Sequence, residues 1–386
     1  MRWALADMRA PPVTVICVLA LGAACGCTAP PTTTSLSEAF KGAFRVGAAL
    51  NASQFTGRDT AGVAIVKTQF NTVTPENILK WESVHPRLGE YDFAAPDRYV
   101  EFGRANGMTI IGHTLVWHNQ TPRWVFQDPS GGPESRDTLL ARMRDHIHMV
   151  VGRYKGKIFG WDVVNEAVDE DGSLRRSPWL TIIGADFIEK AYEYAHEADP
   201  STQLYYNDYS LENAPKRNGA VALIRKLQSE GIHIAAVGLQ GHYKLDWPTV
   251  AQIDSTINAF AALGVKVNIT ELDVDVLPPA ISGQTAEVTA RGARQAGSNP
   301  YVAGLPDSVQ QRLAERYAEL FQVFMRHRDV IDRVTFWGVG DGDSWLNNWP
   351  VRGRTSYPLL FDRQHRPKPA FDAVMRVVRQ PPLRKQ

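Results

Sequence analysis

Residues 135–166, SRDTLLARMRDHIHMVVGRYKGKIFGWDVVNE, carry the pattern that decides the fold. Apolar residues recur at helical spacing from Leu139 to Tyr154, and Ser135 stands where a helix N-cap is expected. A short apolar run at 158–166 follows and is typical of a buried strand. A helix followed directly by a buried strand is the repeating unit of a parallel α/β sheet.

The same alternation extends along most of the chain. Eight strand candidates alternate with amphipathic stretches, at 44–51, 70–74, 109–116, 158–166, 203–208, 235–242, 266–274 and 334–341. Eight such units predict an α/β fold with a single (β/α)8 TIM barrel over residues 36–380. The competing fold is a doubly wound open sheet. Its glycine-rich phosphate loop is missing, because the first strand candidate ends Ala48-Ala49-Leu50-Asn51.

The overall composition excludes several classes of protein. The 386 residues are 44% hydrophobic, which is enough for a large core and argues against disorder. Lys and Arg number 42 against 41 Asp and Glu, a net charge of +1. Nucleic acids and anionic membranes are recognised through a strong positive field, so neither is expected as the main partner. An uncharged substrate fits this neutrality better.

The amino terminus is predicted to be an export signal, with a signal peptide at 1–24 and a flexible Pro/Thr-rich tether at 25–35. Arg2 and Arg9 flank its start, and the apolar run 13–24 is too short to span a bilayer. The segment LGAAC (21–25) is similar to a lipoprotein cleavage site, although Gly22 stands where a leucine is usual. Simple cleavage and lipidation at Cys25 therefore both stay open. We expect an exported protein that is periplasmic, an outer-membrane lipoprotein or extracellular.

The cysteines all lie at this end of the chain, at Cys17, Cys25 and Cys27. The residues after Cys27 cannot form a disulfide among themselves. In an exported protein, stability must then come from the core.

Polar and aromatic residues follow seven of the eight strand candidates. They are Glu76, Asn77 and Lys80; His113, Trp117, His118 and Gln120; Asn165 and Glu166; Asn207, Asp208 and Tyr209; Gln240 and His242; Glu271 and Asp273; and Trp337, Asp341, Asp343 and Trp345. Catalytic groups of TIM barrels lie at the carboxyl ends of the strands. Capping a barrel needs one or two such groups, so this ring predicts an active site.

Glu166 and Glu271 end the fourth and seventh strand candidates. A lone glutamate there is more often a helix cap or part of a surface ion pair, but glycoside hydrolysis requires two facing carboxyl groups. Alternation along a strand places Glu271 and Asp273 on one face, and Gln240 and His242 on one face. A histidine between two carboxylates would hold the nucleophile ionised and oriented.

Metal ligation is the alternative role for His113, His118 and His242. His113 and His118 fall on opposite faces of their strand, and no His-x-His pair ends the first strand, so a structural hydrogen-bonding role is favoured. The run Asp341-Gly342-Asp343-Ser344 lacks the acidic spacing of a full calcium loop. We expect neither a metal nor another cofactor.

Aromatic residues near these strand ends would suit a carbohydrate. The apolar face of a pyranose packs on an indole or phenol ring, while its hydroxyls need polar partners. Trp117, Tyr209, Trp337 and Trp345 are the candidate platforms. Each alone is more often a core residue, but their clustering beside polar residues favours contact with substrate.

Seven segments match a known family in order. They are TPENILKWE (74–82), GHTLVWHNQTP (112–122), WDVVNEAVD (161–169), YYNDYS (205–210), GLQGHY (238–243), ITELDV (269–274) and TFWGVGDGDSW (335–345). Over residues 36–378 the chain resembles glycoside hydrolase family 10, the barrel endo-β-1,4-xylanases. Gly241, Tyr243 and Ser210 depart from the family pattern, which bears on subsite preference and not on the chemistry.

The resemblance implies roles for fifteen residues. Glu166 is the acid/base and Glu271 the nucleophile, His242 and Asp273 support Glu271, and Asn165 holds the sugar 2-hydroxyl. The sugar subsites are lined by Glu76, Asn77, Lys80, His113, Trp117, Gln120, Tyr209, Gln240, Trp337 and Trp345.

The activity that follows is that of a secreted, monomeric endo-1,4-β-xylanase. It would cleave internal bonds of xylan and xylo-oligosaccharides with retention of configuration, by double displacement. Two alternatives stay open. One is a barrel glycosidase that acts on another β-glucan, and the other is a non-catalytic sugar-binding lipoprotein, which is disfavoured because both glutamates are present.

Overall fold

Eight parallel strands form a closed barrel in the computed structural model, which describes residues 35–280 and 295–379. The predicted signal peptide and residues 25–34 of the predicted tether lie outside the described residues. Within the described ranges the strands are β1 (Arg45–Leu50), β2 (Thr72–Pro75), β3 (Thr109–Val116), β4 (Gly160–Asn165), β5 (Gln203–Asp208), β6 (Ala236–Leu239), β7 (His242–Lys244), β8 (Lys266–Asp275) and β9 (Ile331–Phe336). The predicted TIM barrel is confirmed.

The order of the strands follows the chain. Each of β1 to β6 pairs with the next, β6 pairs with β8, β8 with β9, and β9 closes the ring on β1. The three-residue β7 pairs only with β8, placing His242 opposite Asp273 at the rim. Closure brings the carboxyl ends of all barrel strands to one rim, where the predicted site residues stand.

Helices connect the strands in the described part of the chain. They are α1 (Leu36–Ala39), α2 (Ala52–Phe55), α3 (Thr60–Gln69), α4 (Trp81–Val84), α5 (Ala94–Ala105), α6 (Arg136–Arg153), α7 (Pro178–Ile182), α8 (Phe187–Ala198), α9 (Ala214–Ser229), α10 (Val250–Ala261), α11 (Asp307–Arg326) and α12 (Pro369–Arg379). None of these described helices combines the length and apolarity that a membrane crossing requires. Ser135 caps α6 as predicted, accepting a hydrogen bond from the backbone of Thr138.

Two of the strand predictions differ from the structure by more than two residues at one end or at both. The candidate at 235–242 divides at Gly241, whose φ of +81° interrupts the extended backbone between β6 and β7. Gln240 and His242 therefore do not share a face through strand alternation. The candidate at 334–341 corresponds to β9, which begins three residues earlier, at Ile331, and ends five residues earlier, at Phe336, because the chain turns away at Gly338 with φ +135°.

The core has an apolar layer between strands and helices and a more polar interior within the barrel. Buried side chains such as Leu139, Met143, Ile147 and Val150 of α6 belong to the outer layer. Inside the barrel, the guanidinium of Arg333 is buried and donates to the hydroxyls of Thr335 (2.8 Å) and Thr74 (3.4 Å). These polar contacts lie below the rim that the carboxyl ends of the strands form.

Candidate active site

A cleft of about 700 Å³ opens at the carboxyl ends of the strands. All fifteen residues to which the resemblance assigns a role line it: Glu76, Asn77, Lys80, His113, Trp117, Gln120, Asn165, Glu166, Tyr209, Gln240, His242, Glu271, Asp273, Trp337 and Trp345. Of the other polar residues singled out at the strand ends, Asp343 lines the cleft, whereas His118, Asn207, Asp208 and Asp341 do not. The fifteen residues lie in or after the strands β2 to β9, so the barrel rather than any local segment assembles the site.

Glu271 lies within β8 and its side chain is almost fully buried. Its Oε1 accepts a hydrogen bond from Nδ2 of Asn207 (2.8 Å), and its Oε2 lies 3.2 Å from Nε2 of His242. Burial raises the pKa of Glu271, but the hydrogen bond from His242, the charges of His113 and His242 and the amide of Asn207 outweigh it and lower that pKa. The carboxylate is thus held ionised with both oxygens fixed.

His242 lies between two carboxylates. Its Nδ1 is 3.0 Å from Oδ1 of Asp273, while Nε2 faces Glu271. Burial lowers the pKa of His242, but Asp273 and Glu271 together raise it to about 10. As an imidazolium, His242 donates from both ring nitrogens. Trp345 completes the chain by donating from Nε1 to Oδ2 of Asp273 (2.8 Å), so the orientation of the Glu271 carboxylate is determined through three successive contacts.

Glu166 has different surroundings. Its Oε1 accepts a hydrogen bond from the amide of Gln240 (2.9 Å), whereas its buried Oε2 has no hydrogen-bond partner among the described residues. No cationic side chain bonds directly to this carboxyl in the described part of the chain. The two glutamates are therefore chemically unequal, since Glu271 receives donors on both oxygens and one donor is charged.

The backbone around the cleft is strained at three places. Four described residues other than glycine have a positive φ, and three of them line the cleft: Gln120 (+46°), Glu166 (+57°) and Ser210 (+51°). They follow the consecutive strands β3, β4 and β5. A left-handed backbone costs an L-residue roughly 1–3 kcal/mol and persists only where its surroundings enforce it. Such strain often marks functional residues.

One part of the cleft is rich in fixed polar groups. Lys80 is buried and donates to Oδ1 of Asn77 (3.0 Å) and Oε1 of Gln120 (3.0 Å), with its ammonium 4.8 Å from the centre of the Trp117 ring. Burial lowers the pKa of Lys80, an effect that the neighbouring glutamates only partly oppose. Burial also raises the pKa of Glu76 against the attraction of Lys80. Preoriented donors and acceptors of this kind suit the hydroxyls of a sugar.

Two further aromatic rings line the cleft. Trp337 meets His113 edge-on at 5.4 Å between ring centres, and Trp345 lies 4.9 Å from His242. His113 is itself oriented by Asp162, 2.9 Å from its Nδ1. The cleft thus combines flat apolar faces with polar edges, which is the arrangement that pyranose rings require.

Asn207 is the most important residue of the site for which no role was predicted from the sequence. It is fully buried, donates to Glu271 (2.8 Å), and accepts from the hydroxyl of Thr270 (2.6 Å). The signal in the sequence that could have identified Asn207 is its position at the end of a strand candidate. Gly238 makes room for it, because a Cβ at that position would overlap the side-chain oxygen of Asn207.

The three histidines considered as metal ligands are dispersed among different partners. His113 bonds to Asp162, His242 lies between two carboxylates, and Nε2 of His118 is 2.8 Å from Nδ2 of Asn119. These histidines do not converge on one point.

The described residues contain one group with metal-ligand spacing, formed by Asp59, Asp343 and His365. The amide of Gln54 donates to both of its carboxylates (3.0 and 3.2 Å) and so occupies the position between them. That donor disfavours a cation there.

The comparisons with known proteins agree with this geometry. Residues 35–377 match the model of glycosyl hydrolase family 10. The chain belongs to this family. It is 45% identical to the endo-1,4-beta-xylanase A of Xylanibacter ruminicola, over 86% of this chain and 90% of that protein. It is 43% identical to the endo-1,4-beta-xylanase of Geobacillus stearothermophilus, over 89% of this chain and 98% of that protein.

Two further similar proteins extend the comparison. A solved structure of a GH10 endoxylanase retrieved from a sugarcane soil metagenome superposes with a TM-score of 0.85 at 44% identity, covering 89% of this chain and 99% of that chain. The exoglucanase XynX of Acetivibrio thermocellus is 40% identical over 88% of this chain but only 29% of that protein. The predicted family is confirmed.

Proposed function

We propose that this family 10 member is an endo-1,4-β-xylanase that hydrolyses internal β-1,4-xylosidic bonds of xylan and xylo-oligosaccharides. The observation that carries the proposal is the ionised Glu271, held by His242 and Asn207, in the same cleft as Glu166. Relatives named as endo-1,4-beta-xylanases at 43–45% identity support xylan as the substrate.

The first chemical step forms a glycosyl ester on Glu271. An oxygen of Glu271 bonds to the anomeric carbon from one side while the bond to the glycosidic oxygen breaks on the other. The electron pair of the broken bond stays on that oxygen, which takes the proton of Glu166. The hydrogen bonds from His242 and Asn207 keep the attacking carboxylate in place throughout.

The second step hydrolyses the ester. Glu166, now ionised, removes a proton from water as the water oxygen bonds to the anomeric carbon and Glu271 leaves as a carboxylate. Two inversions give net retention of configuration. The proton returns to Glu166, so the enzyme is regenerated for the next cycle.

The lining residues would bind the sugar rings around this centre. Asn165, beside Glu166, is assigned to the 2-hydroxyl of the reacting sugar. Lys80 and the aromatic residues Trp337 and Trp345 are assigned to the subsite where a glucose unit would carry its hydroxymethyl group. Crowding at that position would favour xylose over glucose.

Product analysis on a panel of polysaccharides tests this function. Xylan should be cleaved internally much faster than mixed-linkage glucan or carboxymethylcellulose, and the first products should carry the β configuration by NMR. The second candidate, action on another β-glucan, is kept in view by the relative named as an exoglucanase. Comparable rates on carboxymethylcellulose would favour that candidate, while sugar binding without turnover of any polymer would indicate a non-catalytic protein.

The site of action is proposed from the amino-terminal sequence alone. The segment around Cys25 and the Pro/Thr-rich stretch that follows support export, with lipid attached to Cys25 and the barrel tethered to a membrane. The enzyme would act there as a monomer.

A further inference from the structure

A short hairpin follows the acid/base residue. After Glu166 the chain runs out along 167–169 and returns along 173–175, with hydrogen bonds from the backbone of Asp169 to Ser173 (2.7 Å) and from Arg175 to Ala167 (2.8 Å). Its tip packs against the start of α9, where a Cβ on Gly172 would overlap the carbonyl of Pro215. The hairpin is thus anchored at both ends.

The side chain of Arg175 folds back across the base of this hairpin. Its Nε donates to the backbone carbonyl of Glu166 (2.9 Å), and its Nη2 donates to the carbonyl of Val168 (3.2 Å) and the hydroxyl of Tyr209 (2.9 Å). Its Nη1 lies 3.4 Å from a carboxylate oxygen of Asp169. Only 13% of the side chain is exposed.

We propose that Arg175 is a positioning residue for catalysis, which holds Glu166 in its left-handed backbone conformation and fixes Tyr209 at the same time. The φ of Glu166 is +57°, and an L-residue leaves such a conformation unless its neighbours enforce it. Arg175 binds the carbonyl oxygen of Glu166 and so restrains the ψ dihedral of that residue, which together with φ defines the left-handed conformation. The planar fork reaches three acceptors at once, which the single ammonium of a lysine does not reproduce.

Asp208 also binds this segment, by accepting hydrogen bonds from backbone N–H groups. One of its oxygens accepts from the backbone N–H of Val168 (3.4 Å), and the other accepts from Tyr209 N–H (2.9 Å) and faces Nζ of Lys216 (3.1 Å). Carbonyl groups at the hairpin base are therefore bound by Arg175, and an N–H group is bound by Asp208. Both contacts converge on the segment that carries the acid/base residue and on Tyr209.

The chemical consequence follows from the role of Glu166. An acid displaced by about 1 Å can lose a factor of roughly 10² in rate, and acid catalysis as a whole is worth about 10² to 10⁴. A leaving group that is already acidic needs little proton donation. Loss of Arg175 should therefore slow substrates with poor leaving groups and spare those with good ones, and this inference rests on the proposed glycosidase function.

The experiment measures kcat/KM for a series of aryl β-xylobiosides whose leaving phenols differ in acidity. For Arg175→Lys and Arg175→Gln we expect a loss of about 10- to 100-fold with the least acidic phenol and less than about 3-fold with the most acidic one. The dependence of rate on leaving-group pKa should become steeper than in the unmodified enzyme.

Arg142 provides a matched control. Its side chain is 15% exposed, it donates to the backbone carbonyls of Trp124, Val125 and Gln127, and it pairs with Glu134, yet it is not among the residues that line the cleft. Arg142→Lys and Arg142→Gln should lower the melting temperature to a similar extent while leaving the leaving-group dependence unchanged. This separates positioning from general loss of stability.

Two results would overturn the inference. An equal loss across all leaving groups would mean that Arg175 acts on substrate binding through Tyr209 and not on proton transfer. An unchanged leaving-group dependence in both Arg175 variants would mean that it does not position Glu166. If instead the unmodified enzyme cleaves none of the xylobiosides, the proposed function itself fails.

Discussion

His85 and His146 form a buried pair that should make the protein sensitive to acid. Their Nδ1 atoms are 3.3 Å apart, and the Nε2 atoms of both rings are buried without a hydrogen-bond partner in the described part of the chain. The ring of His85 stacks on Tyr91 at 3.8 Å, and that of His146 on Trp81 at 3.7 Å. Burial lowers the pKa of His85 to about 4 and that of His146 well below its usual range.

Proton linkage determines whether the protein gains or loses stability as the pH falls. Between pH 6.5 and about 4 the unfolded chain binds a proton at His85 that the folded protein does not, so stability is present above pH 6.5 and is lost as the pH falls through this window. A shift from 6.5 to about 4 at about 1.4 kcal/mol per pH unit gives a loss of about 3 kcal/mol between pH 7 and pH 4. His146 adds to this loss in the same direction.

The perturbation is His85→Phe, which keeps a stacked ring and removes the titration. At pH 7 the variant should be less stable by about 1–3 kcal/mol, because Nδ1 of His146 loses its partner. Between pH 7 and pH 4 it should lose about 3 kcal/mol less stability than the unmodified protein. Contributions from carboxylates are common to both proteins and cancel in the difference.

The assay is guanidinium unfolding followed by circular dichroism at pH 4, 5, 6 and 7. His148→Phe is the control for replacing a histidine outside the pair, since His148 lies in α6 beside His146 but is only partly buried and hydrogen-bonds to Glu197. Parallel pH curves for the unmodified protein and His85→Phe would refute the reasoning.

Three further predictions concern the catalytic centre and the amino terminus. Glu166→Ala should accumulate the glycosyl ester from an activated aryl xylobioside, and azide should release this ester as a β-azide. Glu271→Ala should turn over neither this substrate nor xylan. An α-azide, or azide rescue of Glu271→Ala alone, would reverse the assignment of the two glutamates. Gly238→Ala should displace Asn207 from Glu271 and lower kcat/KM on xylan by at least about 10-fold, and overpacking should lower the free energy of unfolding by roughly 1–3 kcal/mol. An unchanged kcat/KM would contradict a role for the contact between Asn207 and Glu271. Mass spectrometry of the native protein should find a lipid-modified amino terminus at Cys25, and a lipid-free form that begins near residue 28 or later would rule this out.

The sequence predicted the barrel because its strands are apolar and alternate with helical patterns, both of which are local properties. The strand ends were predicted wrongly where an apolar run continues although the backbone leaves the extended conformation. Val339 is buried and apolar, yet it belongs to a loop because Gly338 turns the chain away from the sheet. Similarly, the apolar run before His242 does not reveal the positive φ of Gly241.

The cleft could be predicted for the same reason, since a barrel brings all strand ends together and the family motifs occupy them. Contacts between segments that are distant in the sequence could not be predicted in this way. Arg175 and Arg176 are adjacent and alike in sequence, but only Arg175 folds back on Glu166 while Arg176 is exposed. The pairing of His85 with His146 joins residues 61 positions apart, and neither lies in a motif that indicates it.

The barrel closes where its first and last strands meet, and contacts at both ends join that seam. Arg45 of β1 pairs with Asp332 of β9 (2.7 Å), and Gln54 links Asp59 to Asp343 near the rim. The first and last described helices also contact each other. A circular permutant that joins residue 35 to residue 379 through a short linker, and opens the chain in a surface loop elsewhere, would therefore keep every one of these contacts.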